Sequence, residues 1–321
     1  MDGTPNKRAA AMGQLMEVIH KNAALFDDFR VSRPQVRIAY SYPGRLFFDS
    51  LLKFGVAGKS FWAKNMEGWY KLFWSWGMPV EMTDLDHLDE SDFATPVLVV
   101  PGSVCISQKA ARRLSDYVKA GGILIADGRI GAIDSQGCVP AEGIPGKVLS
   151  ELFGVVETDV SSEGSMHVEG ACLPVGFEYQ ELELLDSDTQ VLAAMEDGTP
   201  AVVMHSFGKG KTLYFNNFEG LVLMDNLWPQ ILNLVWQVIG SSMELSVEKS
   251  NQVHLSFIEN DAQKAMLAVN FADEPQTICV KGLPAGCKLT EIFSGSTVTV
   301  TEQTVLQLPA DSHAVYVWAQ S

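Results

Sequence analysis

Cys105 is the residue whose type and sequence position come nearest to those of an enzyme nucleophile. It follows a predicted buried strand and precedes a predicted helix, which is where α/β folds place nucleophilic side chains. A cysteine nucleophile also needs a sharp turn flanked by glycine and a histidine partner. The neighbours of Cys105 in residues 102–106 are apolar and no glycine follows it directly, so the sequence favours a small buried core residue over a reactive thiol.

The run GKGKT at residues 208–212 invites a phosphate-loop interpretation. That motif requires a first glycine at the position that His205 occupies, and it opens a helix, whereas this run lies between two predicted strands. The run GKS at residues 58–60 fails similarly, because Lys53 stands where the first glycine would be. Residues 207–211 are therefore predicted to form the turn of a hairpin with a bulge.

Metal-binding and acid–base patterns are weak in this sequence. It has no H-E-x-x-H motif, its six histidines are scattered singly, and its five cysteines are widely spaced without a C-x-x-C pair. We therefore expect reduced thiols, no disulfide framework, no zinc site and no cofactor. Asp127, Arg129 and Asp134 follow a predicted strand and are candidates for a polar cluster at the carboxyl edge of the sheet, where α/β folds bind ligands. A structural ion pair is the favoured interpretation of these three residues.

Composition and charge narrow the classes of protein. The 321 residues are 47% hydrophobic and carry a formal net charge of −16, which indicates a folded protein and opposes binding to nucleic acid or anionic membranes. No apolar run of membrane-spanning length occurs, and charged residues interrupt the first thirty positions, so a cytoplasmic location is expected.

Acidic residues are abundant, and their number does not exclude a carboxylate pair for glycoside hydrolysis. The length fits about two domains or one (β/α)₈ barrel.

The first predicted element is an amphipathic helix over residues 4–29. Met12, Leu15 and Met16 recur at helical spacing within it, and a break follows at residues 32–34. The apolar stripe of this helix must cover another element, and we expect that partner to lie upstream of Met1.

The rest of the chain divides into two regions with different secondary-structure patterns. The predicted strands before residue 240 are residues 36–40, 80–88, 97–100, 123–126, 157–160, 166–168, 177–185, 190–195, 201–205 and 212–215, and the predicted helices are residues 61–76, 107–120 and 225–239. The alternation of apolar strands and helices predicts an α/β domain with a parallel sheet and helices on both faces. After a boundary at residues 240–242 only short alternating strands remain, which predicts a small antiparallel β-sandwich.

Aromatic residues mark a candidate surface. The stretch of residues 61–76 is rich in tryptophan at helical spacing on more than one face, which favours a core combined with a subunit interface over a sugar-stacking surface. Residues 42–48 add further aromatic side chains. The residues predicted to lie at an interface or to face a sugar are Tyr42, Arg45, Phe47, Trp62, Trp69, Trp74 and Trp76.

Four segments carry a resemblance to a known family. They are VLVVPG at residues 97–102, LSDYVKAGGILI at residues 114–125, IPG with the following LFGV at residues 144–155, and GKGKTLYF at residues 208–215. In their order and spacing they resemble the non-catalytic half of the family 42 glycoside hydrolases, which are β-galactosidases. The resemblance covers nearly the whole chain.

The resemblance implies a division into domains. Residues 1–34 look like the last helix of a (β/α)₈ barrel. Residues 35–242 look like a trimerisation domain of the class I glutamine-amidotransferase-like (flavodoxin-like) fold, and residues 243–321 look like a C-terminal antiparallel β-sandwich. In the family both catalytic glutamates lie in the barrel, so no residue of this chain is expected to inherit a catalytic role.

The resemblance also implies a function, namely a non-catalytic oligomerisation and accessory portion of a β-galactosidase-like enzyme. The expected partners are further copies of the chain in a homotrimer, or a separate catalytic barrel, with a galactoside as the substrate of the parent site. Nucleic acid and membranes are not expected partners. Two alternatives stay open, a stand-alone amidotransferase-like hydrolase that uses Cys105 and a carbohydrate-binding protein.

Overall fold

The computed structural model describes residues 6–53, 61–248 and 252–319. Its contacts divide the chain into two compact units. The first, called here the α/β unit, consists of residues 34–73 and 80–243. The second, called the sandwich unit, takes residues 74–79 together with the described parts of residues 1–33 and 244–321.

The helices and strands follow one another in a mixed order. The helices are α1 (Lys7–Lys21), α2 (Ala23–Phe26), α3 (Tyr42–Lys53), α4 (Phe61–Ser75), α5 (Gln108–Ala120), α6 (Lys147–Phe153), α7 (Glu219–Asp225) and α8 (Pro229–Ile239). The first twelve strands are β1 (Arg30–Val31), β2 (Val36–Tyr40), β3 (Val80–Asp84), β4 (Val97–Val100), β5 (Ile123–Ala126), β6 (Val155–Ser161), β7 (Ser165–Val168), β8 (Ala171–Pro174), β9 (Tyr179–Leu184), β10 (Gln190–Met195), β11 (Pro200–Phe207) and β12 (Gly210–Phe215). The remaining strands are β13 (Ser246–Glu248), β14 (Val253–Glu259), β15 (Gln263–Asn270), β16 (Gln276–Lys281), β17 (Lys288–Glu291), β18 (Thr297–Thr299), β19 (Thr304–Leu308) and β20 (His313–Ala319).

A nine-stranded sheet forms the centre of the α/β unit, in the order β3-β2-β4-β5-β12-β11-β10-β7-β8. The pairs from β3 to β12 are parallel, and the pairs from β12 to β8 are antiparallel. Leu114 of α5 and Phe153 of α6 pack in one core cluster with Tyr214. On the opposite face, the Trp69 ring of α4 lies 5.4 Å from that of Phe215. Helices therefore cover both faces of the parallel part, as the strand–helix alternation predicts.

Local sequence explains the position of these elements. All four residues of β4 and all four of β5 are buried, which agrees with their continuous apolar sequences. The Ser107 side chain caps α5 by accepting a hydrogen bond from the backbone N–H of Ala110, and Gly121 ends the helix at a φ of +123°. Phe207 pairs with Gly210, so residues 208–209 turn β11 back into β12 and the predicted hairpin is confirmed. The predicted bulge is wrong, because the register of this pair is regular up to the turn.

The sandwich unit contains two antiparallel sheets with a shared core. Their orders are β1-β14-β15-β20-β17-β18 and β13-β16-β19. Leu255 and Met266 of the larger sheet pack in one cluster with Ile278 and Leu306 of the smaller sheet. On the other face of the larger sheet, Leu25 of α2 packs with Ile258, because side chains alternate between the two faces along a strand.

The N-terminal helix differs from its prediction. The chain forms two helices in place of one over residues 4–29, and the break falls at Asn22, whose side chain donates a hydrogen bond to the Val18 carbonyl. The first two residues of the predicted helix, residues 4 and 5, lie outside the described residues, and the cap of α1 is Asn6. None of the α1 side chains is buried within the described part of the chain, and Met12 is 58% exposed.

Three further element boundaries are corrected by the structure. The helix predicted over residues 225–239 begins at Pro229, and the separate helix α7 precedes it. The strand predicted from residue 177 begins at Tyr179, because Phe177 has a φ of +72°, outside the strand region. β3 ends at Asp84, after which the chain continues in short 3₁₀ turns. In residues 6–53, 61–248 and 252–319, the helices lack the length and apolar character that a bilayer crossing requires.

Helices α4 and α7 approach each other at two glycines. A Cβ added to Gly68 would lie 1.7 Å from the Gly220 carbonyl oxygen, and one added to Gly220 would lie 1.9 Å from the Asn65 carbonyl oxygen. We expect Gly68→Ala to lower the free energy of unfolding by at least about 1–3 kcal/mol, because two backbones must separate to admit the methyl group. Denaturant unfolding followed by circular dichroism measures this loss.

The matched control is Gly13→Ala in α1, where an added Cβ meets no atom within 4 Å. This change is expected to raise helix stability by about 0.5–1 kcal/mol, because alanine restricts the unfolded backbone more than glycine does. An unchanged unfolding midpoint for Gly68→Ala would contradict the close approach of the two helices.

Candidate interface at the carboxyl edge of the sheet

The carboxyl ends of the parallel strands converge on one edge of the α/β unit. Helix α3 begins two residues after β2, and the segments after β4, β5 and β12 reach the same edge. In open α/β folds this edge is the usual place for a ligand. Two features occupy it here, a buried carboxylate and a cluster of aromatic rings.

The buried carboxylate is Asp127, which directly follows β5 and has no exposed surface. Its Oδ1 accepts hydrogen bonds from Asn65 Nδ2 at 3.0 Å and from the backbone N–H of Gly102 at 2.6 Å. Its Oδ2 accepts from Trp69 Nε1 at 2.6 Å and from the backbone N–H of Gly220 at 3.1 Å. Four donors thus converge on the two oxygens, which together offer about four acceptor positions.

Burial changes the electrostatics of this group. Removal from water raises the pKa of Asp127 to about 6, although the hydrogen bonds from its four donors favour the charged form. Glu219, at the start of α7, is also fully buried. Burial holds its pKa well above the ordinary value, and the nearby charge of Asp127 acts in the same direction. The ionisation of Asp127 therefore opposes that of Glu219.

The candidate polar cluster of Asp127, Arg129 and Asp134 does not form. Arg129 turns away at a φ of +52°, and its guanidinium pairs with Glu157 at 2.9 Å and with Glu178 at 3.8 Å. Asp134 accepts hydrogen bonds from two backbone N–H groups of its own loop. Each of the three groups thus has separate partners, and Arg129 is in a structural ion pair.

Cys105 lies at this edge as a core residue. It is 7% exposed, and its thiol donates a hydrogen bond to the Asp134 carbonyl with an Sγ–O distance of 3.2 Å. Burial and the negative charges of Asp86 and Asp134 raise the pKa of the thiol. Nucleophilic cysteines have the opposite surroundings, which lower the pKa. The environment of Cys105 therefore agrees with the interpretation as a small core residue.

Four phenylalanines form the aromatic cluster, defined here as Phe48, Phe61, Phe177 and Phe218. Phe48 stacks on Phe61 with 5.0 Å between ring centroids, and Phe218 meets Phe61 edge to face at 5.1 Å. Phe177 meets Phe61 edge to face at 4.9 Å. Such contacts rigidify a surface because several rings must move together. Phe48, Phe61 and Phe218 pack with Val104 and Ala132, which lie in the segments after β4 and β5.

Exposed apolar and cationic side chains flank the aromatic cluster. On α3, Tyr42 is 55% and Leu46 is 49% exposed, and they lie one helical turn apart. The Arg45 guanidinium carbon lies 5.9 Å from the centroid of the Trp62 ring. Phe177 remains 42% exposed. These five residues, Tyr42, Arg45, Leu46, Trp62 and Phe177, are called the edge face below.

The structure separates the seven predicted surface residues into groups. Tyr42, Arg45, Phe47 and Trp62 belong to the α/β unit. Phe47 and Trp62 pack against the aromatic cluster, Arg45 contacts the Trp62 ring, and Tyr42 is exposed on α3. Trp69 belongs to the same unit but does not reach the surface, because its indole is fully buried and donates to Asp127.

Trp74 and Trp76 belong to the sandwich unit. Trp74 stacks on His254 with 5.8 Å between ring centroids. The Trp76 side chain is 9% exposed, and its carbonyl accepts a hydrogen bond from Val247. The prediction of one tryptophan surface is therefore wrong for Trp69 and Trp76, because helical spacing distributes these rings over faces that differ in burial.

Sequence reasoning missed Phe177 as a surface residue. A phenylalanine with a φ of +72° is a backbone outlier, and such strain occurs most often at functional positions. The preceding Gly176 admits no Cβ, because one would lie 2.1 Å from the Phe218 carbonyl oxygen. The sequence signals this turn only through the Gly-Phe pair at residues 176–177. The same pair is also compatible with the start of a strand.

Solved β-galactosidases share this fold. A catalytic mutant of Gan42B, a GH42 β-galactosidase from G. stearothermophilus, superimposes with a TM-score of 0.75 at 17% identity, over 98% of this chain and 44% of that one. The β-galactosidase from Bacillus circulans sp. alkalophilus gives a TM-score of 0.75 at 15% identity, with the same two coverages of 98% and 44%. The chain therefore has the fold of a part of the GH42 β-galactosidases.

Sequence comparison identifies the part of these enzymes that the chain matches. The family model described as "Beta-galactosidase trimerisation domain" matches residues 35–235. The chain belongs to this family, and the resemblance to the family 42 glycoside hydrolases is confirmed. Beta-galactosidase Pbg from Clostridium perfringens is 23% identical over 284 residues, which are 83% of this chain and 39% of that protein. The chain thus spans about two fifths of the length of this relative.

Replacing the buried carboxylate tests its structural role. Asp127→Leu leaves two side-chain and two backbone N–H donors without their acceptor in a buried site. We expect the free energy of unfolding to fall by at least about 3 kcal/mol, since each orphaned donor carries a desolvation cost. The control is Asp116→Leu on the exposed side of α5, expected within about 0.5 kcal/mol of the parent. Equal losses in the two variants, measured by urea unfolding, would contradict this role.

The raised pKa of Asp127 also predicts a pH dependence. Between about pH 4 and pH 6 the folded chain keeps a proton that the unfolded chain has lost, so the free energy of unfolding falls as the pH rises through this window. Above the window Asp127 contributes no further change. Asp127→Asn removes this titration. The difference in unfolding free energy, parent minus variant, is expected to fall by on the order of 2 kcal/mol from about pH 4.5 to about pH 7. A difference that rises over this range would show the opposite shift.

Proposed function

We propose that this chain is the assembly and accessory portion of a β-galactosidase-like glycoside hydrolase. The observation that carries the proposal is the match of residues 35–235 to the β-galactosidase trimerisation domain. In the proposed enzyme the hydrolysis of a galactoside takes place in a catalytic barrel, and this chain holds subunits together. Its partners are further copies in a homotrimer, or a separate barrel, and its location is the cytoplasm.

The proposal includes an assignment of domains. Residues 35–242 serve as the trimerisation domain, with the amidotransferase-like (flavodoxin-like) fold. Residues 243–321 serve as the C-terminal sandwich, and residues 1–34 as the helix that links to a barrel. Two observations support it, the parallel sheet with helices on both faces and the exposed apolar side chains of α1.

The edge face is the proposed subunit contact of the α/β unit. Its composition suits an interface, because aromatic residues and arginine are enriched there relative to the rest of a protein surface. The cation–π contact between Arg45 and Trp62 holds both side chains in place before association. A rigid surface loses little conformational entropy when it binds. The strained backbone of Phe177 keeps another ring on this surface.

Introducing charge into the edge face tests the proposal. The double variant Tyr42→Asp with Leu46→Asp places two carboxylates on the exposed turn of α3. We expect it to sediment as a smaller species than the parent at the same concentration, because burying unpaired carboxylates costs several kcal/mol per charge. Sedimentation velocity over a range of protein concentrations measures the shift.

The matched control is Val191→Asp on β10, a valine that is 44% exposed in the same unit. It is expected to retain the parent's oligomeric state. A parent chain that stays monomeric at high micromolar concentration contradicts self-assembly. Equal dissociation by the control and the double variant contradicts the choice of surface.

A further inference from the structure

A histidine, a cysteine and a glutamate meet on an exposed face of the nine-stranded sheet, and none of the three belongs to the edge face. They are His167 on β7, Cys172 on β8 and Glu196 just after β10. One nitrogen, one sulfur and one oxygen atom from these side chains all lie within 4.8 Å of one another, and all three residues are exposed. β8 is the edge strand of the sheet, so this cluster joins the last hairpin to its neighbouring strand.

Strand register explains why these three side chains meet. His167 and Cys172 are directly opposite each other in the antiparallel β7–β8 pair, so their side chains project from the same face. In the β10–β7 pair, Met195 is opposite Met166 with both side chains buried, so the next residue, Glu196, projects to the exposed face with His167. The juxtaposition therefore follows from the backbone as well as from the side-chain positions.

The cluster has a donor set suited to zinc. Neutral imidazole, thiolate and carboxylate are the three ligand types that Zn²⁺ binds in proteins, at about 2.0–2.3 Å. Two negative ligands balance the charge of the ion, and the net charge of −16 on the chain favours a cation. The fourth tetrahedral position faces solvent and suits a water molecule. Because the three side chains are exposed, small rotations can bring their ligand atoms to coordination distance from one ion.

We propose that His167, Cys172 and Glu196 bind one Zn²⁺ ion, which clamps the edge hairpin β7–β8 to β10. Binding forms three protein–metal bonds and releases the thiol proton of Cys172 to solvent. Without the ion, the Cys172 thiol donates a hydrogen bond to Glu196 Oε1 at 3.6 Å, and the Ser165 hydroxyl donates to the same oxygen at 2.5 Å. These bonds hold the glutamate in place.

The site would protect a weak part of the fold. An edge strand presents unpaired backbone groups and frays more readily than a central strand. β8 is four residues long and pairs only with β7 in the described part of the chain. A metal link from β8 across β7 to β10 holds all three strands in register. This role is independent of the proposed assembly through the edge face.

Metal titration of the untagged full chain, freed of metal by dialysis against a chelator, tests the site. Zn²⁺ is measured by competition with a chromophoric chelator, and Co²⁺ serves as the spectroscopic probe. We expect one Zn²⁺ per chain, release of a proton on binding, and a thiolate-to-cobalt charge-transfer band with Co²⁺. Cys172→Ser is expected to abolish that band and to weaken Zn²⁺ binding by at least about tenfold. His167→Gln and Glu196→Gln are expected to weaken binding similarly.

Cys138→Ser is the control, because Cys138 is also an exposed free cysteine and lies outside the cluster. It is expected to retain the charge-transfer band and the parent's Zn²⁺ affinity. Zn²⁺ is expected to slow alkylation of Cys172 but not of Cys138, as mass spectrometry of labelled peptides measures. Equal Zn²⁺ affinity in Cys172→Ser and Cys138→Ser, or a cobalt complex without the thiolate band, would overturn the proposal. Circular dichroism verifies that each variant is folded.

Discussion

A single fully buried carboxylate organises the carboxyl edge of the α/β unit. Asp127 accepts hydrogen bonds from α4, from the segment after β4 and from the start of α7, so three separate stretches of chain depend on one group. Asn65 is itself oriented, since its Oδ1 accepts the backbone N–H of Leu221. The same α4–α7 crossing admits no side chain at Gly68 or Gly220. Burying a charge is costly, and four convergent donors offset only part of that cost here, since the pKa of Asp127 stays raised.

The groups at the usual ligand position of an α/β fold are poorly suited to nucleophilic chemistry here. The aromatic cluster packs with residues of the segments after β4 and β5, and burial raises the pKa of the Cys105 thiol. The edge presents a rigid surface on which aromatic and cationic side chains are exposed. Such a surface suits association better than catalysis. The family assignment and the physical character of the edge therefore agree.

The antiparallel half of the sheet differs from the parallel half in which residues it brings together. It adds β11, β10, β7 and β8 beyond β12 and ends in an exposed hairpin. Parallel strands bring their carboxyl ends together, whereas antiparallel pairing brings together residues that are far apart in sequence and face the same side. His167, Cys172 and Glu196 meet through this register. No spacing in the sequence resembles a metal motif at these positions, because their proximity depends on which strands pair.

The sequence by itself determined the mixed α/β class of the fold, the family and many of the strands and helices, although α3, α6, α7 and β8 are absent from the predicted elements. The apolar runs of β4 and β5, the cap at Ser107 and the hairpin at residues 207–210 are local features, and local residues encode them. Tertiary structure alone decided which tryptophans reach the surface, since Trp69 donates to a carboxylate 58 residues away. It also decided the partners of Arg129 and the exposed position of Phe177. Burial, strand register and backbone strain depend on contacts between distant segments, and periodicity in one segment does not encode them.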